Sequence, residues 1–95
     1  GLFEMHAHMG INSESQGRTW LAYGVTSVRD PGAHPYVAKE RQEMWNSGKS
    51  IGPRTHTGFL TDGNRAYYSI AEGITSDAHL ERALDRAKRL ELAFI

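Results

Sequence analysis

Short apolar or β-branched runs alternate along this chain with segments of helical length, and that alternation restricts the fold more than any other feature. The run Leu2-Phe3-Glu4-Met5 leads into His6-Ala7-His8 and then Met9-Gly10, which reads as a buried strand entering a loop. With Ser15 as a cap and Gly24 as a stop, residues 16–23 read as a first helix. Val25-Thr26-Ser27-Val28 is a second strand, and Arg29-Asp30-Pro31-Gly32 ends it. Pro35 suits the first turn of a helix over residues 35–47, with Val37, Ala38, Met44 and Trp45 on its buried stripe and Gly48 beyond. The threonine-rich residues 54–59 give a third strand, followed by a turn or long loop at Asp62-Gly63-Asn64. A third helix starts after Thr75 or Ser76, with Leu80, Ala83, Leu84, Ala87 and Leu90 at helical spacing and Asp85 four residues before Arg89. Residues 92–95 read as a fourth strand.

Strands that alternate with helices call for an α/β fold, a parallel sheet joined by right-handed crossovers. The 95 residues suffice for one small domain. A complete eight-stranded α/β barrel needs about 200 residues or more. The expectation is therefore a partial (β/α)8 TIM barrel, about its first half, occupying residues 1–95 with four parallel strands and three helices. The fourth strand stops at Ile95, which reads as an excised or truncated piece.

Composition narrows the function. Eleven basic and eleven acidic residues balance, so there is no electrostatic footprint for nucleic acid or for an anionic membrane surface. The absence of cysteine removes disulfides, thiolate zinc sites and cysteine nucleophiles together. No apolar run approaches the roughly twenty residues of a membrane span, and the chain reads as soluble.

The chemistry concentrates at His6 and His8. Two residues apart on a strand, their imidazoles share a face and can converge on one metal ion, as helical spacing would not allow. In α/β barrels the active site lies at the C-terminal ends of the strands, and the pair stands at that end of the first one. A His-x-His pair taken alone also describes two partly buried polar residues at a strand end.

With the second block, Gly24-Val25-Thr26-Ser27-Val28-Arg29-Asp30, the pattern resembles the amidohydrolase superfamily. The first barrel strand of that superfamily typically ends in Asp-x-His-x-His and its second reads Gly-Val-Thr-Thr-x-Arg-Asp. Ser47-Gly48-Lys49-Ser50-Ile51-Gly52-Pro53-Arg54 is similar to the stretch before the third strand of imidazolonepropionase-like and dipeptidase-like members, so the likeness spans essentially the whole chain. The resemblance implies a hydrolase of amide, peptide-like or cyclic amide bonds, taking a small-molecule or peptide-like substrate. It also implies one or two divalent metal ions, usually zinc, with His6 and His8 as ligands and Arg29 and Asp30 in supporting polar roles. Glu4 stands where the family often has Asp. The remaining ligands of the family, a carboxylated lysine, two more histidines and a catalytic aspartate, come from later strands. No catalytic residue is therefore assigned within this chain, and the chain alone is expected to be inactive or weakly active.

The rival expectation is a catalytically inactive half-barrel that self-associates as a homo-oligomer, because its outer strands would expose unpaired edges. Two such chains could share a metal among their His6 and His8 residues. Other conspicuous residues have plainer readings. His56 alternates with Arg54 and Gly58, which would turn it to a barrel interior, but an ordinary polar role is the simpler reading. His34 reads as a loop or cap residue, and His79 as solvated in the first turn of the last helix. Gly48-Lys49-Ser50 imitates the end of a phosphate-binding loop, but Glu43 occupies the position that needs glycine. Trp20, Tyr23, Met44 and Trp45 are expected to pack on a sheet, and Tyr67 and Tyr68 either line a substrate mouth or cover a loop.

Overall fold

The computed structural model describes residues 1–8, 13–65 and 67–95, and the side chains of all of these except 13 and 14. Eight elements follow one another: β1 (Leu2–Glu4), α1 (Ser13–Ala22), β2 (Val25–Asp30), α2 (Pro35–Asn46), β3 (Arg54–Thr57), β4 (Thr61–Asp62), β5 (Glu72–Gly73) and α3 (Asp77–Arg89). The expected alternation is present through β3, and the first helix starts at Ser13, ahead of its expected cap at Ser15. Met9 and Gly10, expected as the loop after the histidines, lie outside the described residues.

Strands β1, β2 and β3 form one parallel sheet in that order. Gly24, at φ +78°, takes the left-handed turn that delivers the end of α1 into β2, and Leu2 N donates to its carbonyl at 2.9 Å. Strand β2 runs two residues past its expected end because Arg29 and Asp30 stay in register with His56 and Thr57 of β3. Ala7, Val25, Val28 and Trp45 form a buried cluster, with Trp20 and Met44 packed against it. The indole of Trp45 lies so close to Gly52 that a Cβ there would come within 2.5 Å of the ring. Gly17 leaves equally little room, since a Cβ would meet the Ile51 carbonyl at 2.4 Å, so α1 rests directly on the backbone before β3. At its C-terminal end α2 is clamped to β3: Thr55 N donates to Asn46 Oδ1 at 3.1 Å, and Asn46 Nδ2 donates back to Thr55 O at 3.4 Å.

The half-barrel expectation is overturned. The parallel sheet has three strands, β4 and β5 pair separately as a two-stranded parallel sheet, and no barrel is closed among the described residues. Residues 92–95, expected as the fourth strand, make a single parallel bridge, Phe94 to Gly58, beyond the end of β3. The cause is local. Glu91 takes φ 52° immediately after the α3 cap, Ala93 N finds the Thr57 carbonyl at 2.8 Å, and Phe94 turns onto the Arg29 guanidinium at 4.1 Å. The turn and the clasp hold these residues to one bridge in place of a ladder.

Helix α3 begins as expected, with the Ser76 hydroxyl accepting from His79 N at 3.2 Å. Its apolar stripe is only partly used. Ala83 is fully buried, whereas Leu80 and Leu84 remain 40% and 45% exposed. No helix among the described residues is long and apolar enough to cross a membrane.

Candidate metal centre

The residues just after β1 are held from three directions. Arg29 of β2 accepts from Ala7 N through its carbonyl at 3.0 Å and donates from its guanidinium to Met5 O at 3.3 Å. Gln16 of α1 donates from Nε2 to the His8 carbonyl at 3.0 Å. The Glu4 carboxylate accepts from His6 N at 2.9 Å. Ala7 is thereby fixed in the buried cluster, and its neighbours His6 and His8 stay exposed.

The two imidazoles meet. His6 Nε2 and His8 Nε2 are 3.2 Å apart, with the rings nearly perpendicular at 85°. On its other edge His8 Nδ1 lies 3.4 Å from Asp30 Oδ1, and Asp30, 1% exposed, also accepts from Gly32 N at 3.1 Å. Gly32 lies against the same ring, where a Cβ would stand 3.3 Å from His8 Cε1. A carboxylate beside Nδ1 favours the tautomer whose Nδ1–H donates to it, which leaves Nε2 of His8 as the lone pair. The His6 Nε2–H can donate to that lone pair across the 3.2 Å contact.

This arrangement fits a divalent cation. Two nitrogens bound to zinc at 2.0–2.1 Å in tetrahedral geometry are separated by about 3.3 Å. The observed separation of 3.2 Å is close to that edge. Imidazole suits zinc, and a carboxylate behind a ligating histidine is the usual means of fixing its tautomer. Two ligands are what these residues offer, and no group of three or more His, Asp or Glu side chains is placed to hold a metal among the described residues.

A cavity of about 780 Å³ opens beside the pair. Its lining comes from His6, His8 and the 31–34 loop after β2, from Val37 and Arg41 of α2, and from Leu60, Tyr68 and Ile70. Its volume lies within the range of small-molecule sites.

The residues singled out in the sequence divide clearly. His6, His8 and Asp30 come together. Arg29 supports the backbone of the histidine segment, in keeping with a polar supporting role. His34 precedes α2 as its cap residue without a side-chain capping bond, and it also lines the cavity. Tyr68 lines the cavity, whereas its edge-to-face neighbour Tyr67 is 85% exposed. His56 is exposed on β3, apart from the pair. His79 is not simply solvated: its Nε2 lies 2.9 Å from Glu72 Oε1, and Arg86 donates to the other oxygen of the same carboxylate. Arg41 was not singled out in the sequence; the signal that could have found it is its place four residues after Val37 on the same helix. The chain matches no protein-family model, no curated protein and no solved structure.

Proposed function

We propose that this chain carries the first metal-binding segment of a metal-dependent hydrolase of amidohydrolase type, acting on an amide or peptide-like bond. His6 and His8 hold a divalent cation, zinc being the first candidate. The observation that carries the reading is the 3.2 Å approach of the two Nε2 atoms with Asp30 behind His8. The His-x-His strand end and the Gly24 to Asp30 block of the sequence support it independently.

When bound, a divalent ion supplies a hydroxide near neutral pH and a Lewis acid for a carbonyl. The roles of this chain's own residues are narrower. His6 and His8 are ligands through Nε2, Asp30 positions His8 through Nδ1, and Gln16 and Arg29 hold the intervening backbone. In this reading the other ligands and the proton-transfer group of the hydrolase are supplied by residues beyond this sequence.

Metal content per chain tests the assignment, measured by elemental analysis on protein purified without chelator or polyhistidine tag. Wild type is expected to retain zinc added in slight excess, and the double variant His6→Ala/His8→Ala is expected to lose it. Equal zinc in both, or none in either, would remove the pair from the mechanism.

A further inference from the structure

A second cavity, of about 450 Å³, is lined by Tyr36 of α2, Glu72 of β5 and one face of α3, and shares no lining residue with the cavity beside His6 and His8. His79, Arg82, Arg86 and Arg89 fall at i, i+3, i+7 and i+10 along α3, the spacing of a single face, and all four line it. The acids in the wall are Glu72 and Asp85. Glu72 is taken up by Arg86 and His79. Arg82 and Arg89 are exposed, and neither guanidinium has a hydrogen bond or an ion pair among the described residues. Arg86 Nε is buried and likewise has no hydrogen-bond partner among them.

We infer that this cavity binds the phosphate group of a small molecule, with Arg82 and Arg89 as the residues that hold it. About 10 Å of helix axis separates the two, a distance that two long side chains close from either end. One guanidinium fork already satisfies both oxygens of a carboxylate, whereas two free forks call for an anion with more oxygens and more charge. A phosphate ester, with three terminal oxygens and a charge near −2, meets both demands. Three guanidiniums against two carboxylates leave the wall cationic, and Asp85 is the group that opposes the anion. The volume exceeds that of a phosphate alone and lies within the range of small-molecule sites, and Tyr36, 57% exposed, offers an aromatic surface to the rest of an ester. None of this rests on the hydrolase reading above.

The test titrates inorganic phosphate and phenyl phosphate into the ¹⁵N-labelled chain at about pH 7.5, where both are mostly dianionic, and at constant ionic strength. Both are expected to bind with a Kd of about 1 mM, moving the backbone amides of Tyr36 and of α3 from His79 to Arg89. The double variant Arg82→Gln/Arg89→Gln is expected to bind about tenfold or more weakly. Asp85→Asn is expected to bind several-fold more tightly, a gain that unfolding could not produce. Lys88→Gln makes the same change of charge on α3 outside the cavity, and is expected to stay within about twofold of wild type. Tighter binding of phenyl phosphate assigns the site to a phosphate ester and equal affinities assign it to the free anion, and the phosphate site stands in both cases. No saturable shift up to about 20 mM phosphate, a loss in Lys88→Gln equal to that in the double variant, or undiminished binding in the double variant overturns the inference.

Discussion

A carboxylate that is 1% exposed is costly to hold unless hydrogen bonds satisfy it, and for Asp30 the Gly32 amide and the His8 ring are two of the groups that do so. The pairing also works in the other direction, because the His8 tautomer that leaves Nε2 as a lone pair depends on an acceptor at Nδ1. Asp30→Asn keeps the shape of the side chain and a carbonyl for Gly32 N, yet weakens the acceptor that orients the imidazole. Zinc affinity is expected to fall about 10–100-fold, the usual effect of losing a partner behind a ligating histidine. A competition titration against a chromophoric chelator measures it, with circular dichroism confirming an unchanged fold. Undiminished affinity would mean that Gln16 and the backbone contacts of Arg29 orient His8 on their own. At this scale the sequence was informative for the pairing of His6 with His8 but not for its cause: β1 ends at Glu4, so the backbone contacts after the strand, and not strand periodicity, set the two rings together. It was uninformative for the depth at which Asp30 is buried, which depends on the loop closing over it.

Helix α3 shows how an element can be located correctly and still be misjudged in its packing. Its cap and its apolar stripe were both readable, but periodicity tells which residues share a face and not whether anything covers that face. Leu80 and Leu84 remain substantially open, and polar contacts tie the helix to β5 instead. Glu72 of β5 receives Arg86 and His79, which are seven residues apart and so two turns along one side of α3. Arg86 also lies over the ring of Phe59 at 5.6 Å. The Glu72 carboxyl is held below its ordinary value of 4.5, first by the hydrogen bond from Arg86, which outweighs the upward push of burial, and to a lesser extent by His79. Because the folded value is the lower one, the stabilisation is fully present above about pH 4.5 and is lost as the pH falls through the folded value. Glu72→Gln is expected to cost about 0.5–1 kcal/mol at pH 7, a modest figure because the pair keeps contact with water. Urea melts of wild type and variant at pH 7 and pH 3 check the sign: the gap between the two midpoints narrows in acid. A gap that is constant or grows in acid would place the effect in packing and not in charge.

Across the whole molecule, the order of the first three strands and of all three helices could be read from the chain, because each carries its own pattern of β-branched content, period and cap. The closure of the sheet could not. A fourth strand at residues 92–95 has the right composition, but its fate depends on the turn at Glu91 and on what lies beside Gly58, and neither is encoded in four apolar residues. Strands β4 and β5 were missed for the same reason, since two residues each are too few to carry a period. What replaces the fourth strand is a clasp. Phe94 sits under the Arg29 guanidinium and fills the space above Gly58, where a Cβ would come within 2.5 Å of its ring. The same Arg29 holds Met5 O and Ala7 N, so the clasp touches the residue that supports the histidine segment. Phe94 is only half-buried, so Phe94→Ala should cost less than the 3–5 kcal/mol of a core phenylalanine, about 1.5–2.5 kcal/mol. For a domain of this size that corresponds to a fall in Tm of very roughly 6–20 °C. Thermal unfolding followed by circular dichroism reads the loss, and zinc titration of the same variant reads its reach. A stable Phe94→Ala chain with normal melting would show that residues 92–95 lie on the sheet without holding it. A destabilised chain that also binds zinc more weakly would show that the C-terminal clasp helps to set the position of His6 and His8 through Arg29.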